Sequence, residues 1–318
     1  MQSFLEQTLK SIIAQGVDLS EAIFVLPSQR ACVFLKQIWV ENSQGAGFLP
    51  KMIPIERFIE ELSGLHQIER LPLIFQAYEI YKTQAKNPAP FDQFSNWATT
   101  AIQDFNEIDR HLVPAQELFS YLSDIKRLEA WDIENETDLV KNHFDFMLQL
   151  SQLYSALKEV LFEKGLGYQG LIYREAAQQI DSFCSFRDKN SVFLLGFNAL
   201  NKAEEQIFQE LLASGVGQVF WDGDAFYMED NHIAGAFLRK YKAEWPYYQN
   251  NAFPEFENRF ANREKEIISI AAPKQVSQTK YLGELLSEEL TEQRTAVVLA
   301  DENLLGLTLN GLPESVEN

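Results

Sequence analysis

The side chains whose types and spacing could do chemistry gather at the ends of three apolar runs. The first run opens "SVFLLGFNALNKAEEQIFQEL", residues 191–211. Val192 to Leu195 suits a buried parallel strand, and the residues from Ala203 to Leu212 suit an amphipathic helix behind it. A nucleotide-hydrolysing site of this strand–turn–helix kind carries two acids at the strand tip, one holding Mg²⁺ and one orienting water. Here the tip reads Gly196-Phe197. The second run ends in "VFWDGDAFYMED", which sets Asp222, Asp224, Glu229 and Asp230 just past a strand, where an α/β sheet binds ligands. The competing reading is a hydrated acidic turn in which Asp222 or Asp230 caps the next helix. The third run, "EAIFVLP", leads into Ser28, Gln29 and Arg30 at the start of a helix, where phosphates and other anions are favoured.

Other groups that could carry chemistry have plainer explanations. Asp104 and Glu107 are i,i+3 neighbours flanking an apolar helical stripe, with Asp109 close behind. Without convergent ligands nearby, a solvated or subdomain-pairing face is the expected role. Cys32 and Cys184 form no CxxC pair, and His66, His111, His143 and His232 are scattered, so no metal site is expected. Four of the tryptophans, Trp97, Trp131, Trp221 and Trp245, invite a base-stacking role. Trp97 falls on the core stripe and reads as packing, while Trp221, beside Phe220 at a strand end, is open to either reading. Phe197 reads as a buried ring filling the space that a nucleotide–metal complex would need. No catalytic, cofactor-binding or metal-ligating residue is assigned.

The elements that must position these groups alternate in kind. Over residues 1–64 a helix (2–15), a strand (21–27), a helix (28–41), "LPKMIP" and a helix ending at Gly64 follow in order, the pattern of a parallel α/β sheet. Between 65 and 185 strand patterns give way to long helical stripes such as Phe94, Trp97, Ala101, Phe105 and Ile108. Strands return at 191–197 and 217–222 with a helix at 203–213 between them. "AEWPYYQNNAFPEFENRFANR" reads as a connector. A new alternation then begins at 264–273, with a helix at 276–290, a strand at 295–300 and a last helix near 302–311. The fold expected is α/β: a sheet-bearing domain over 1–64 and 186–245, a helical insertion over 65–185, and the beginning of a second α/β domain over 255–318. An α/β unit so short leaves strand edges unpaired, which predicts a fragment of a longer protein.

Charge narrows the function classes. Lys and Arg number 27 against 46 Asp and Glu, a net charge of −19. Free-standing, non-specific nucleic-acid binding relies on neutralising phosphates, so any DNA contact here must be local or shared with a partner. The first residues, "MQSFLEQTLKSIIAQG", make a poor signal peptide, and no apolar run has the length of a membrane span, so a cytoplasmic protein is expected.

Six stretches taken in order resemble the AddB subunit of AddAB-type helicase–nucleases, in particular the divergent form from Bacteroidetes: "IFVLPSQRACVFLKQ", "LPKMIPIERFIEELSG", "DFNEID", "GLGYQGLIYREAA", "FLLGFNALNKAEEQIF" with "VFWDGDAFYMED", and "TAVVLADENLLGLTLNGLP". The resemblance covers the whole chain but only the amino-terminal third of such a subunit. It implies a RecA-like, P-loop NTPase-type sheet split by a helical subdomain, as in superfamily 1 helicases. It also implies an AddA-type helicase–nuclease partner and a downstream PD-(D/E)XK nuclease domain with an iron–sulfur cluster. The complex would act in double-strand-break resection and recombinational repair. Ser28, Gln29 and Arg30 fall where such helicases touch single-stranded DNA.

The departures from that pattern are as informative. No GxxxxGK[ST] is present, and the acid pair of the second motif is replaced by Gly196 and Phe197. The third motif, with Asp222 and Asp224, has no glutamine to sense a phosphate. The nucleotide-binding strand and loop look deleted ahead of the leading helix. The expectation is a silent helicase-like region with no cofactor and no enzymatic activity of its own. The alternative is a scaffold that docks the partner subunit through its acidic surface without touching DNA.

Overall fold

The computed structural model describes residues 3–42, 49–122, 138–229, 232–262, 264, 266–289 and 295–313. They fall into two compact units, divided between Ala261 and Asn262.

In the first unit, α1 (Phe4–Ala14) leads to β1 (Ile23–Leu26), α2 (Gln29–Asn42), β2 (Lys51–Pro54) and α3 (Ile55–Ser63). The helix α1 starts at Ser3, whose side chain accepts from the Glu6 amide. The helix α3 stops at Gly64, which turns left-handed (φ 67°) and returns its amide to Glu60. A two-residue strand β3 (His66–Gln67) follows, then α4 (Arg70–Gln84), α5 (Phe91–Arg110), α6 (115–122) and α7 (Asp138–Glu163). The chain returns through β4 (Leu166–Gly167) and α8 (Gln169–Ser185) to β5 (Val192–Leu195), α9 (Lys202–Ala213) and β6 (Gly217–Phe220). Asn201 and Glu204 close a reciprocal capping box at the start of α9.

The strands β2, β1, β5 and β6 form one parallel sheet in that order, with Ile23 opposite both Lys51 and Val192, and Val192 opposite Gly217. Alternate side chains of β1 and β5 serve opposite faces. Phe24, Leu26, Phe193 and Leu195 pack with Leu9, Ile12, Cys32 and Leu35 of α1 and α2. Ile23, Val25, Val192 and Leu194 pack on the other face with α3, α8 and α9, in a core that runs on into the helical stretch as far as Phe94, Phe105 and Leu157. The helices between 65 and 185 thus share one continuous core and one compact unit with the sheet. The helix α8 makes the join: it packs on α5, α3 and α9. At its start a Cβ on Gly170 would lie 2.2 Å from the Asn106 carbonyl, so only glycine admits that approach.

The stretch expected to be a connector is built into this core. A helix, α10 (Ala236–Glu244), and a short one, α11 (Pro246–Asn250), were not legible in the sequence. Tyr241 and Trp245 are buried, and Tyr248, Phe253 and Phe256 continue the aromatic packing from Trp221. Ring content, not polarity, decided the outcome.

The second unit holds α12 (Gln275–Glu289) and α13 (Leu305–Gly311), packed so closely that a Cβ on Gly283 would meet the Gly311 carbonyl at 2.0 Å. The strands expected at 264–273 and 295–300 are not formed among the described residues. Ile267 and Val298 stand 85% and 89% exposed. A strand needs a hydrogen-bonded neighbour, and neither segment has one among the described residues of this unit.

Candidate functional site

In the sheet of the first unit β1 connects to β2 on one side, and β5 connects to β6 on the other. Right-handed crossovers in opposite directions require helices on opposite faces, and α2 and α9 do lie on opposite faces. The crevice beyond the carboxyl ends of β1 and β5 is therefore the topological switch point, where open α/β sheets bind ligands. The turns that open onto it are Pro27–Arg30 and Gly196–Ala199.

On the β1 side, Ser28, Gln29 and Arg30 are all exposed. The Ser28 hydroxyl accepts from the Ala31 amide at 3.2 Å, and the Ser28 carbonyl accepts from Cys32 at 3.2 Å, so serine sets the start of α2. The Arg30 guanidinium lies 5.6 Å from the Phe34 ring centre and is held near the helix start by that cation–π contact.

On the β5 side, Gly196 takes φ 73° and donates its amide to the Phe220 carbonyl at 2.9 Å. A Cβ there would sit 3.3 Å from the ring of Phe4, which covers the turn from the α1 side. Phe197 is 5% exposed and stands edge-on to Phe208 of α9, ring centres 5.0 Å apart. Two phenylalanines thus occupy the tip of β5, one toward each face, and the tip itself carries no acid.

The acids after β6 separate into different roles. Asp224 places one carboxylate oxygen on the Phe226 amide at 3.0 Å and the other on the Phe260 amide at 2.9 Å. The expectation that Asp222 caps the next helix is corrected by this: Asp224 caps the 3₁₀ turn Ala225–Met228, because its side chain is the one in reach of the turn's second amide. Asp230 lies outside the described residues. Asp222 is exposed at the mouth of a groove beside β6; partial burial pushes its carboxyl up, against the pull of the Arg259 charge. Glu229 is exposed. No group of three or more His, Cys, Asp and Glu among the described residues could hold a metal ion.

Trp97, Trp221 and Trp245 are accounted for by packing. Trp221 is buried, stacks on Tyr241 and donates Nε1–H to the Tyr248 hydroxyl at 2.9 Å, which leaves no free face for a base. Trp245 is buried against the same rings, and Trp97 packs edge-on to Phe94, Tyr81 and Phe146. Trp131 lies outside the described residues.

Two polar clusters escaped the sequence reading. Asp104 and Glu107 are exposed, but Asp109 is fully buried, so the expected solvated face holds for the first two only. The Asp109 carboxylate accepts from Tyr154 at 2.6 Å, from Arg174 Nε at 2.5 Å and from the Tyr168 hydroxyl. Arg174 also donates to the carbonyls of Ile108 and Val113 at 2.9 and 2.7 Å. Burial together with the adjacent Asp109 charge pushes the hydroxyls of Tyr154 and Tyr168 well up.

The second cluster lies where α5, α8 and α9 meet. Arg110 donates to Gln169 at 2.9 Å and lies 5.9 Å from the centre of the Tyr173 ring. Burial pushes up the carboxyl of Glu204, with the Arg110 charge and the capping amide of Asn201 opposing it. Both clusters draw on residues tens of positions apart, so local spacing carried no signal of them.

Compared with known proteins, the chain matches no family model and no curated protein.

Proposed function

We propose that this chain is the catalytically silent, RecA-like helicase region of an AddB-type subunit, a scaffold within a helicase–nuclease that resects double-strand breaks for recombinational repair. The observation that carries the reading is the tip of β5: a strand–turn–helix at the switch point of a parallel sheet, with Gly196 and Phe197 where hydrolysis needs acids. Phe4 and Phe197 fill the space on either side of that tip. On this reading the adjoining turn, Ser28 to Arg30, contributes a local single-stranded DNA contact through hydroxyl, amide and guanidinium groups, and an AddA-type subunit supplies the ATPase. The complex would work in the cytoplasm.

A second reading rests on the net charge of −19: a protein-interaction scaffold that docks its partner and leaves DNA alone. Titrating single-stranded DNA affinity against salt separates the two. Phosphate contacts give a steep negative slope. Absence of binding at low salt, or a flat slope, would favour the interaction scaffold.

A further inference from the structure

The strand β6 forms an outer edge of the sheet, paired with β5 on one side only among the described residues. The Val192 amide donates to the Val216 carbonyl, and the Gly196 amide to that of Phe220, so alternate residues from Val216 to Phe220 turn their backbone groups inward. Gly217, Val219 and Trp221 therefore turn theirs outward, Val219 from a half-buried position and Gly217 and Trp221 from buried ones at the floor of a groove. Natural edge strands are guarded by short length, proline, lysine, bulges, an inward charge or a covering element. Gly217-Gln218-Val219-Phe220 is short but carries no proline, lysine or inward charge.

The edge opens into a groove of about 580 Å³ that runs the whole strand, from Gly215 to Gly223. Its walls come from Gln7 and Ser11 of α1 on one side and from Tyr247 and Tyr248 on the other. Four residues of strand span about 13 Å, a length suited to one short extended segment. The charge at the rim is mostly negative: Asp222, Glu255 and Glu257 stand against Arg259 alone. The Arg259 guanidinium is bound to Glu257 at 3.0 Å and to Gln7 at 3.2 Å and acts on Asp222 only as a nearby charge, and Asp222 and Glu255 form no direct ion pair among the described residues.

We propose that the free edge of β6 binds an extended segment of a partner protein as an added strand, and that this segment carries lysine or arginine opposite Asp222 and Glu255. Main-chain hydrogen bonds to Gly217, Val219 and Trp221 would provide the affinity, and the acidic rim would select the sequence. A second copy of this chain is the wrong occupant, since it brings the same acidic rim and a net charge of −19 to the contact. Nucleic acid is disfavoured by the same carboxylates. The edge geometry and the rim charge are the same whether or not the chain touches DNA.

The test uses the intact chain and fluorescein-labelled peptides of about eight residues, alternating valine and threonine. One carries lysine at both ends, one glutamate, and one keeps the lysines but is N-methylated at alternate residues. Anisotropy should show saturable binding of the lysine peptide, roughly fivefold or more weaker binding of the glutamate peptide, and loss with N-methylation. Hydrogen exchange at the Val219 and Trp221 amides should slow when the lysine peptide is bound, and Asp222→Asn should narrow the gap between lysine and glutamate peptides. Equal binding of the N-methylated peptide, or no saturable binding, would overturn the proposal. So would concentration-dependent self-association that protects the same amides, or displacement of the peptide by a single-stranded oligonucleotide.

Discussion

The guanidinium of Arg174 lies 2.5 Å from the carboxylate of Asp109, which is wholly buried and holds two tyrosine hydroxyls as well. This one carboxylate ties α5 to α7 and to the start of α8, the helix on which the sheet and the helical stretch are jointly packed. Removing one member of a buried pair leaves the other charge uncompensated, at a cost of about 3–5 kcal/mol. Asp109→Ala and Arg174→Ala should each lower the urea midpoint by that scale. The double variant should cost less than the sum of the two, because the orphaned charge is gone; strict additivity would mean the pair is not coupled.

Phe197 and Gly196 make a second, separable prediction. Phe197→Ala removes a buried ring from beneath α9 and should cost about 3–5 kcal/mol. Gly196→Ala forces a side chain into a left-handed turn and against Phe4, at a cost of about 1–3 kcal/mol. An unchanged denaturation midpoint for Phe197→Ala would show a ring free to stack on a base or a partner.

Alkaline pH should unfold this protein through its tyrosines. Burial pushes Tyr241 and Tyr248 up to about 12, whereas an unfolded tyrosine ionises near pH 10. The folded state therefore holds protons that the unfolded state releases, and the stability these groups contribute is complete below about pH 10 and is lost as pH rises toward 12. The tyrosinate absorbance that these two groups contribute, taken as the difference between the parent and Tyr241→Phe or Tyr248→Phe, should rise in step with loss of far-ultraviolet helix signal. Ionisation of these tyrosines in a still-folded chain would contradict their burial.

Arg30 tests the proposed DNA contact. Arg30→Ala leaves the Ser28 cap intact and removes one cation, so it should weaken single-stranded DNA binding evenly across sequences and reduce the salt slope by about 1. An unaltered slope would place the contact elsewhere. Circular dichroism of the variant should match the parent, because the side chain is exposed.

Much of the sheet was legible from sequence because its strands are short apolar runs closed by turn residues, as in Ile23–Leu26 and Val192–Leu195. The helices α3 and α9 were legible from their stripes, and the Gly64 stop announced the end of α3. The pair β3 and β4 was not: two residues show no period. Asp109 sits in "DFNEID", where it looks like one more surface acid; only partners 45 to 65 positions away make it a core residue. The residues 295–300 show the reverse failure. "TAVVLA" has the apolar, β-branched make-up of a strand but forms no ladder among the described residues, and a ladder is a property of two segments, not one.

The most direct measurement of the account is calorimetric titration of the chain with Mg²⁺–ATP. On the proposed reading, Phe4 and Phe197 take the place of a nucleotide–metal complex at a switch point whose β5 tip carries no acid. The account predicts no heat beyond that of dilution, for the parent chain and for Phe197→Asp alike. Saturable heat with a dissociation constant in the micromolar range would contradict it.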